Sequence, residues 1–157
     1  MNRRSVIRAG VTLSGMALTP WSMLASAAAE SPLIYLSPLK RNGELSRCQA
    51  EVWFASDGDD FYVVTANDAW RARAVSQGLT DTQVWVGDVG MWKRASGKYR
   101  DLPAQRMQGS VVVDPVTHAR LLTRFGDKYS AEWGTWGPRF KNGLADGSRV
   151  MLRYAPA

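Results

Sequence analysis

Along several short runs of this chain, apolar side chains recur at every second position, the period of a strand with one buried face. Leu33 to Leu39 is the first such run, closed by Pro38 and the turn-forming Lys40-Arg41-Asn42-Gly43. Ser46 to Ala55 alternates, with Cys48, Ala50, Val52 and Phe54 on one face and Gln49, Glu51 and Trp53 on the other. Asp57-Gly58-Asp59-Asp60 then turns tightly into Phe61-Tyr62-Val63-Val64-Thr65, which makes the clearest hairpin in the chain. Gln83 to Val89 turns Val84, Val86 and Val89 away from Trp85. Ala104 to Val113 ends in Ser110-Val111-Val112-Val113, and Ser148 to Tyr154 alternates through Val150, Leu152 and Tyr154.

Helical signals fall between these runs. A short helix opens after Thr65, carrying Ala69-Trp70-Arg71-Ala72-Arg73 and stopping near Gly78. Asp114-Pro115 starts a second one, an N-cap followed by proline at the first helical position. It is expected to run to about Phe125, with Gly126 as its stop. Val116, Ala119, Leu122 and Phe125 would line one side, and His118 and Leu121 an adjacent face. Ser130 to Gly143, rich in Gly and Trp, reads as a loop. Its aromatics would plug a barrel end, or alternatively wall a flat ligand. Met91-Trp92-Lys93-Arg94 with Lys98-Tyr99-Arg100 is the most basic stretch and reads as a solvated hairpin tip, the other reading being a receiver for an acidic substrate or partner. About six strands, adjacent in sequence, with two or three short helices give an α+β fold. The sheet is expected to be mostly antiparallel and curved or closed as a barrel. No Gly-rich phosphate loop follows a strand, which excludes Rossmann and P-loop sites.

The first 29 residues stand apart. Arg3, Arg4 and Arg8 precede a mildly apolar stretch from Val11 to Leu24 and the small-residue run Ala25-Ser26-Ala27-Ala28-Ala29, the order of an export signal. Asn2-Arg3-Arg4-Ser5-Val6-Ile7-Arg8 resembles the twin-arginine signal pattern; the alternative is an ordinary secretory signal that begins with two arginines. The apolar part is shorter than the roughly 20 residues a membrane span needs, so stable insertion is not expected. Residues 1–29 are thus read as a leader, 30–157 as one domain, and the destination as the periplasm or another exported location.

This division changes the charge. Of 20 Lys and Arg three lie in residues 1–29, while all 14 Asp and Glu follow, leaving 17 against 14, or +3 rather than +6. That balance, with no basic run, gives no reason to expect nucleic acid. The single cysteine, Cys48, excludes an intramolecular disulfide, and one His with one Cys excludes zinc sites built from those ligands. Any Ser-His-Asp or Cys-His centre would have to use His118, whose helical position favours packing.

Arg41-Asn42-Gly43, Ala50-Glu51-Val52-Trp53-Phe54, Asp57-Gly58-Asp59, Phe61-Tyr62-Val63-Val64-Thr65 and Ala69-Trp70-Arg71-Ala72 follow one another as a basic turn, a strand ending in aromatics, a hairpin, a strand ending in Thr and a helix bearing a cation. This order resembles the pyridoxamine-phosphate-oxidase-like split-barrel superfamily, over roughly residues 33 to 90. The resemblance implies a split β-barrel, a homodimer, and FMN or a deazaflavin at the dimer interface. Carried over by position, it nominates Arg41, Thr65, Arg71 and, as a neighbour, Arg73 as cofactor-binding residues. The chain departs from the family pattern at Trp70 and at the Gly78-Leu79-Thr80-Asp81-Thr82 linker.

A Thr hydroxyl and a guanidinium fork near helix-start N–H groups suit a phosphate. Arg71 and Arg73 lie about 200° apart on a helix, so one phosphate would not receive both. The plainer readings are an ion pair between Asp68 and Arg71, three residues apart, and a solvated Arg73. Two functions remain open. One is an exported flavin-dependent oxidoreductase acting on a small substrate. The other is a non-catalytic split barrel that binds a ligand or partner and has a lost or altered flavin site.

Overall fold

Alternation along the strands divides the core into two faces of one sheet. The computed structural model describes residues 20–157, with side chains from Met23 onward. Its strands are β1 (Ile34–Pro38), β2 (Ala50–Val52), β3 (Ala55–Asp57), β4 (Asp60–Ala66), β5 (Asp81–Val86), β6 (Ala104–Val112) and β7 (Arg149–Pro156). Its helices are α1 (Pro20–Glu30), α2 (Trp70–Ser76), α3 (Pro115–Lys128) and α4 (Trp133–Asp146). The leader pattern over residues 1–29, including Arg3-Arg4, lies mostly outside the described residues.

The strand order is β2-β1-β5-β6-β7-β4-β3, with every neighbouring pair antiparallel. β2 and β3 occupy opposite ends of this sheet, yet only Trp53 and Phe54 separate them. The two ends must therefore come together, and the sheet curls into a half-barrel. This is the expected α+β split barrel, with two corrections of count. The single strand expected over Ser46–Ala55 is two short ones on opposite edges, making seven strands, and there are four α-helices among the described residues.

The switch at Trp53–Phe54 leaves Phe54 outside both ladders, fully buried. Its backbone still needs partners. The Tyr129 hydroxyl accepts from the Phe54 N–H at 2.9 Å, and the carbonyls of Pro32 and Phe54 lie 2.8 and 3.0 Å away for its one proton.

Inside the curl, Ile34, Leu36, Phe54, Phe61, Val63, Val84, Val86, Met107, Leu152 and Tyr154 form one buried cluster, closed by Leu24 and Ala28 of α1 and flanked by Trp70 and Val75 of α2. Outside it, Tyr62, Val64 and Met151 pack under α3 and α4 against Leu121, Phe125, Tyr129 and Phe140. Val84 and Val86 do face away from Trp85, and Val150, Leu152 and Tyr154 share the inner face. Val89 does not keep the expected alternation: it lies past the end of β5 and packs with the Trp85 cluster.

Three further expectations are corrected. α3 starts as the Asp114-Pro115 signal predicts, with Asp114 accepting from the Val116 and Thr117 N–H groups, but continues past Gly126 to Lys128. Gly126 is a contact residue and not a stop: a Cβ there would stand 2.7 Å from the Trp133 indole nitrogen. The buried stripe of α3 is Leu121 and Phe125, while Val116 is 75% exposed. Ser130–Gly143 is not a loop, since most of it is α4, despite Pro138 within the helix. Trp133, Trp136, Phe140 and Leu144 fall at helical spacing and pack on the sheet, and that tertiary burial outweighs weak local propensity.

Finally, the basic stretch is not a free hairpin tip. Residues 91–101 fold over the outer face of β1 and β5, where Tyr99 stacks on Tyr35 at 5.2 Å and meets Trp85 edge-on. The Tyr35 hydroxyl donates to the Gly90 carbonyl and accepts from the Val89 N–H, and Glu51 accepts from the Trp92 N–H, pinning the loop down.

Candidate functional site

The four nominated residues do not converge on one place. Arg41 sits exposed in the turn after β1. It lines a recess of about 330 Å³ together with Lys40, Thr80, Asp81 and Arg106, beyond the C-terminal end of α2. Two ion pairs, Lys40–Glu44 at 3.1 Å and Arg106–Asp81 at 2.7 Å, already occupy the cations beside it. Arg73 is exposed on α2, and its carbonyl accepts from the Ser76 hydroxyl and the Gln77 N–H. Neither shares a recess with Thr65 or Arg71.

Thr65 and Arg71 differ from both. Thr65 follows Phe61 and Val63 on the inner face of β4 and is 1% exposed. Ladder bonds to β7, where it pairs with Val150, use its backbone. Its hydroxyl therefore points into the half-barrel, and Oγ1 has no hydrogen-bond partner.

Arg71 lies in the first turn of α2, one turn ahead of Val75 on the side that packs on the inner cluster. Gly109 of β6 permits the close docking of this helix, because a Cβ there would stand 2.9 Å from Val75. The Arg71 guanidinium lies 5.8 Å from the Trp70 ring centre, and its Nε is buried with no partner. Asp68 does not neutralise it: among the described residues Arg71 forms no ion pair. Burial lowers its pKa, and Tyr154 raises it by a smaller amount.

Tyr154 is the residue that sequence reasoning missed. It sits 1% exposed at the end of the inner row Val150, Leu152, Tyr154, and burial raises the pKa of its phenol while Arg71 lowers it. The signal was a phenol closing an otherwise apolar alternating row.

Thr65 Oγ1 and Arg71 Nε are the two buried side-chain polar atoms without partners among the described residues. A buried unsatisfied polar group costs about 1–3 kcal/mol, and more when charged, so each of these two atoms would gain from a polar partner. What would satisfy both is an acceptor: a phosphate or another anion. By donor chemistry each suits an anionic oxygen such as a flavin phosphate carries, and Arg41 and Arg73, both exposed, do not share that burial. No group of three or more metal-ligating side chains occurs among the described residues. His118 donates from Nε2 to the Val112 carbonyl at 2.7 Å, which fixes its ring and places the lone pair on Nδ1.

No family model matches the chain, and no curated protein matches it in sequence. Solved structures do match in shape. The heme storage protein HutZ of Vibrio cholerae superposes with a TM-score of 0.60 at 11% identity, over 89% of this chain and 92% of that one. A candidate pyridoxamine 5'-phosphate oxidase of Listeria innocua gives 0.56 at 12% identity, over 86% and 91%. This chain has the split-barrel fold of these structures. An F420 reductase adds a TM-score of 0.51 at 22% identity, over 87% of this split barrel and 91% of that chain. At these identities the likeness is one of fold. In this split barrel the inner face under α2 carries the unsatisfied polar atoms, and the outer face carries the aromatic packing.

Proposed function

We propose that this protein is an exported flavin-binding split barrel that holds FMN, or a related flavin, by its phosphate and works as an oxidoreductase on a small substrate. One observation carries the reading: Thr65 Oγ1 and Arg71 Nε, at the end of β4 and the start of α2 that follows it, are both buried and both unpartnered. The neighbours named for an oxidase and an F420 reductase support the cofactor class.

Arg71 would pair with the phosphate and Thr65 would donate its hydroxyl proton to a phosphate oxygen, charge-assisted bonds that recover the desolvation each now bears. Trp70 lies against the guanidinium, and the buried, neutral Tyr154 phenol stands near it. When bound, the flavin ring supplies hydride and electron transfer; the chain supplies binding and orientation. A second copy of the chain would complete the wall against which the ring lies. The Arg3-Arg4 leader pattern supports export, which by the twin-arginine route would deliver the domain already folded.

Titration of the purified full chain with FMN, followed by quenching of flavin fluorescence, tests this. Saturable quenching is expected, with Arg71→Met weakening it at least about tenfold, the loss typical of one charge-assisted contact. Arg41→Met and Arg73→Met are expected to leave it within about twofold. Absence of binding to the unaltered chain, or binding indifferent to Arg71→Met, would overturn the proposal.

A further inference from the structure

The stretch Ala25–Ala29 carries the small residues that a leader peptidase would cut, and it is also the second half of α1. This half is not loose. Leu24 and Ala28, four residues apart and 2% and 3% exposed, enter the inner cluster beside Ile34, Phe54, Phe61 and Val86. On the opposite side Met23 is 53% exposed, so the helix is docked by one stripe.

Further contacts fix its end. Lys128, the last residue of α3, lays its ammonium 3.4 Å from the Phe54 ring centre and 3.5 Å from the Ala28 carbonyl, so it bridges α1 to the core. The Ser31 N–H bonds the Ala27 carbonyl at 2.9 Å, extending the helical pattern one residue beyond Glu30, and the Pro32 carbonyl receives Tyr129. Cutting after Ala27 or Ala29 would strip Leu24 from the cluster and leave Phe54 and Phe61 with an open side.

Peptidases take their substrates in extended form, pairing with them as an added strand, and a helix must first undock and unwind to comply. We propose that α1 is a retained wall of the folded domain, and that its docking withholds the Ala25–Ala29 stretch from processing once the chain has folded. Any leader cut in the folded protein then falls upstream of Met23. This rests on the export reading only for its cellular test.

Purified full chain treated with elastase, which cuts after small residues, tests the docking directly, with intact mass locating each cut. Cleavage within residues 25–29 is expected at least about tenfold more slowly than in the same chain unfolded in urea, since cutting there requires the open state. Leu24→Asp should remove that protection while Met23→Asp keeps it, with far-ultraviolet circular dichroism confirming that both remain folded. If Leu24→Asp does not fold, Leu24→Ala, a milder loss of the same buried contact, supplies the second variant and should speed the same cut several-fold. Cutting at 25–29 in the unaltered folded chain as fast as in urea overturns the inference. So does an exported, folded protein whose mass begins at Ala28 or Glu30, whereas a mass beginning at or before Met23 supports it. Should the chain stay inside the cell, the export reading falls and the elastase experiment still decides.

Discussion

The two sides of the sheet solve the same burial problem in opposite ways. On the outer side, α3 and α4 bring aromatic rings into contact until each has partners. Phe125 meets Tyr129, Trp133 and Phe140, and Trp53 stacks on Tyr129 at 4.2 Å. Even the polar group there, the Tyr129 hydroxyl, is fully used. The inner side is as well buried, yet it keeps a hydroxyl and a guanidinium nitrogen without partners and sets a lysine over a ring. The packed rings of the outer side therefore contribute chiefly to stability. The inner side gives some stability up, and such a cost persists where a ligand recovers it.

Removing a ring from the outer side should have the largest effect. Phe125→Ala deletes a fully buried side chain among three rings and should cost about 3–5 kcal/mol in urea denaturation, with FMN affinity unchanged in whatever fraction remains folded. Next comes Gly126→Ala. On helix propensity alone it should gain about 1 kcal/mol, but the added Cβ meets Trp133 and the net result should be a loss of about 1–2 kcal/mol.

On the inner side the sign should reverse. Thr65→Val keeps the shape and removes the unpartnered hydroxyl, so the empty chain should be unchanged or more stable by up to about 1 kcal/mol. The same variant should bind FMN several-fold more weakly. A clear destabilisation of the empty chain would erase the contrast between the two sides.

The smallest effect is a pH dependence at Lys128. Burial lowers its pKa from 10.5 to about 8, so between about pH 8 and 10 the unfolded chain holds the proton that the folded chain has released. Stability from this group is thus lowest below pH 8 and rises with pH across that window. Above pH 10 the opposite trend sets in, because the phenols of Tyr129 and Tyr154 are raised by burial and the unfolded chain loses its protons first. Comparing urea midpoints of the unaltered chain and Lys128→Met from pH 7 to 10 isolates the lysine: the difference should shrink as pH rises.

Legibility in the sequence followed the range of the forces involved. The hairpin from Asp57 to Thr65 and the start of α3 at Asp114-Pro115 depend on turn and cap chemistry within a few residues, and both are where the sequence puts them. The alternation of Val150, Leu152 and Tyr154 is equally local. The break at Trp53–Phe54 was invisible because it depends on Tyr129, 75 residues away, supplying the partners that the ladders withhold. α4 was hidden by its glycines and Pro138, although its aromatic spacing of three and four was there to be counted. At the site, the separation of Arg71 from Arg73 could be read from helical geometry. That Arg41 belongs to a different recess could not, because it depends on where the turn after β1 lies relative to the far end of α2.

The segment from Ala50 to Asp57 supplies both outermost strands of the sheet, and each is only three residues long. An unpaired edge invites another chain to extend the sheet, and length sets how strong the invitation is. Here each rim offers a foothold too brief to hold a foreign strand, and both rims are tethered to each other through Phe54. Growth into ribbons or fibrils by pairing onto β2 or β3 is accordingly disfavoured.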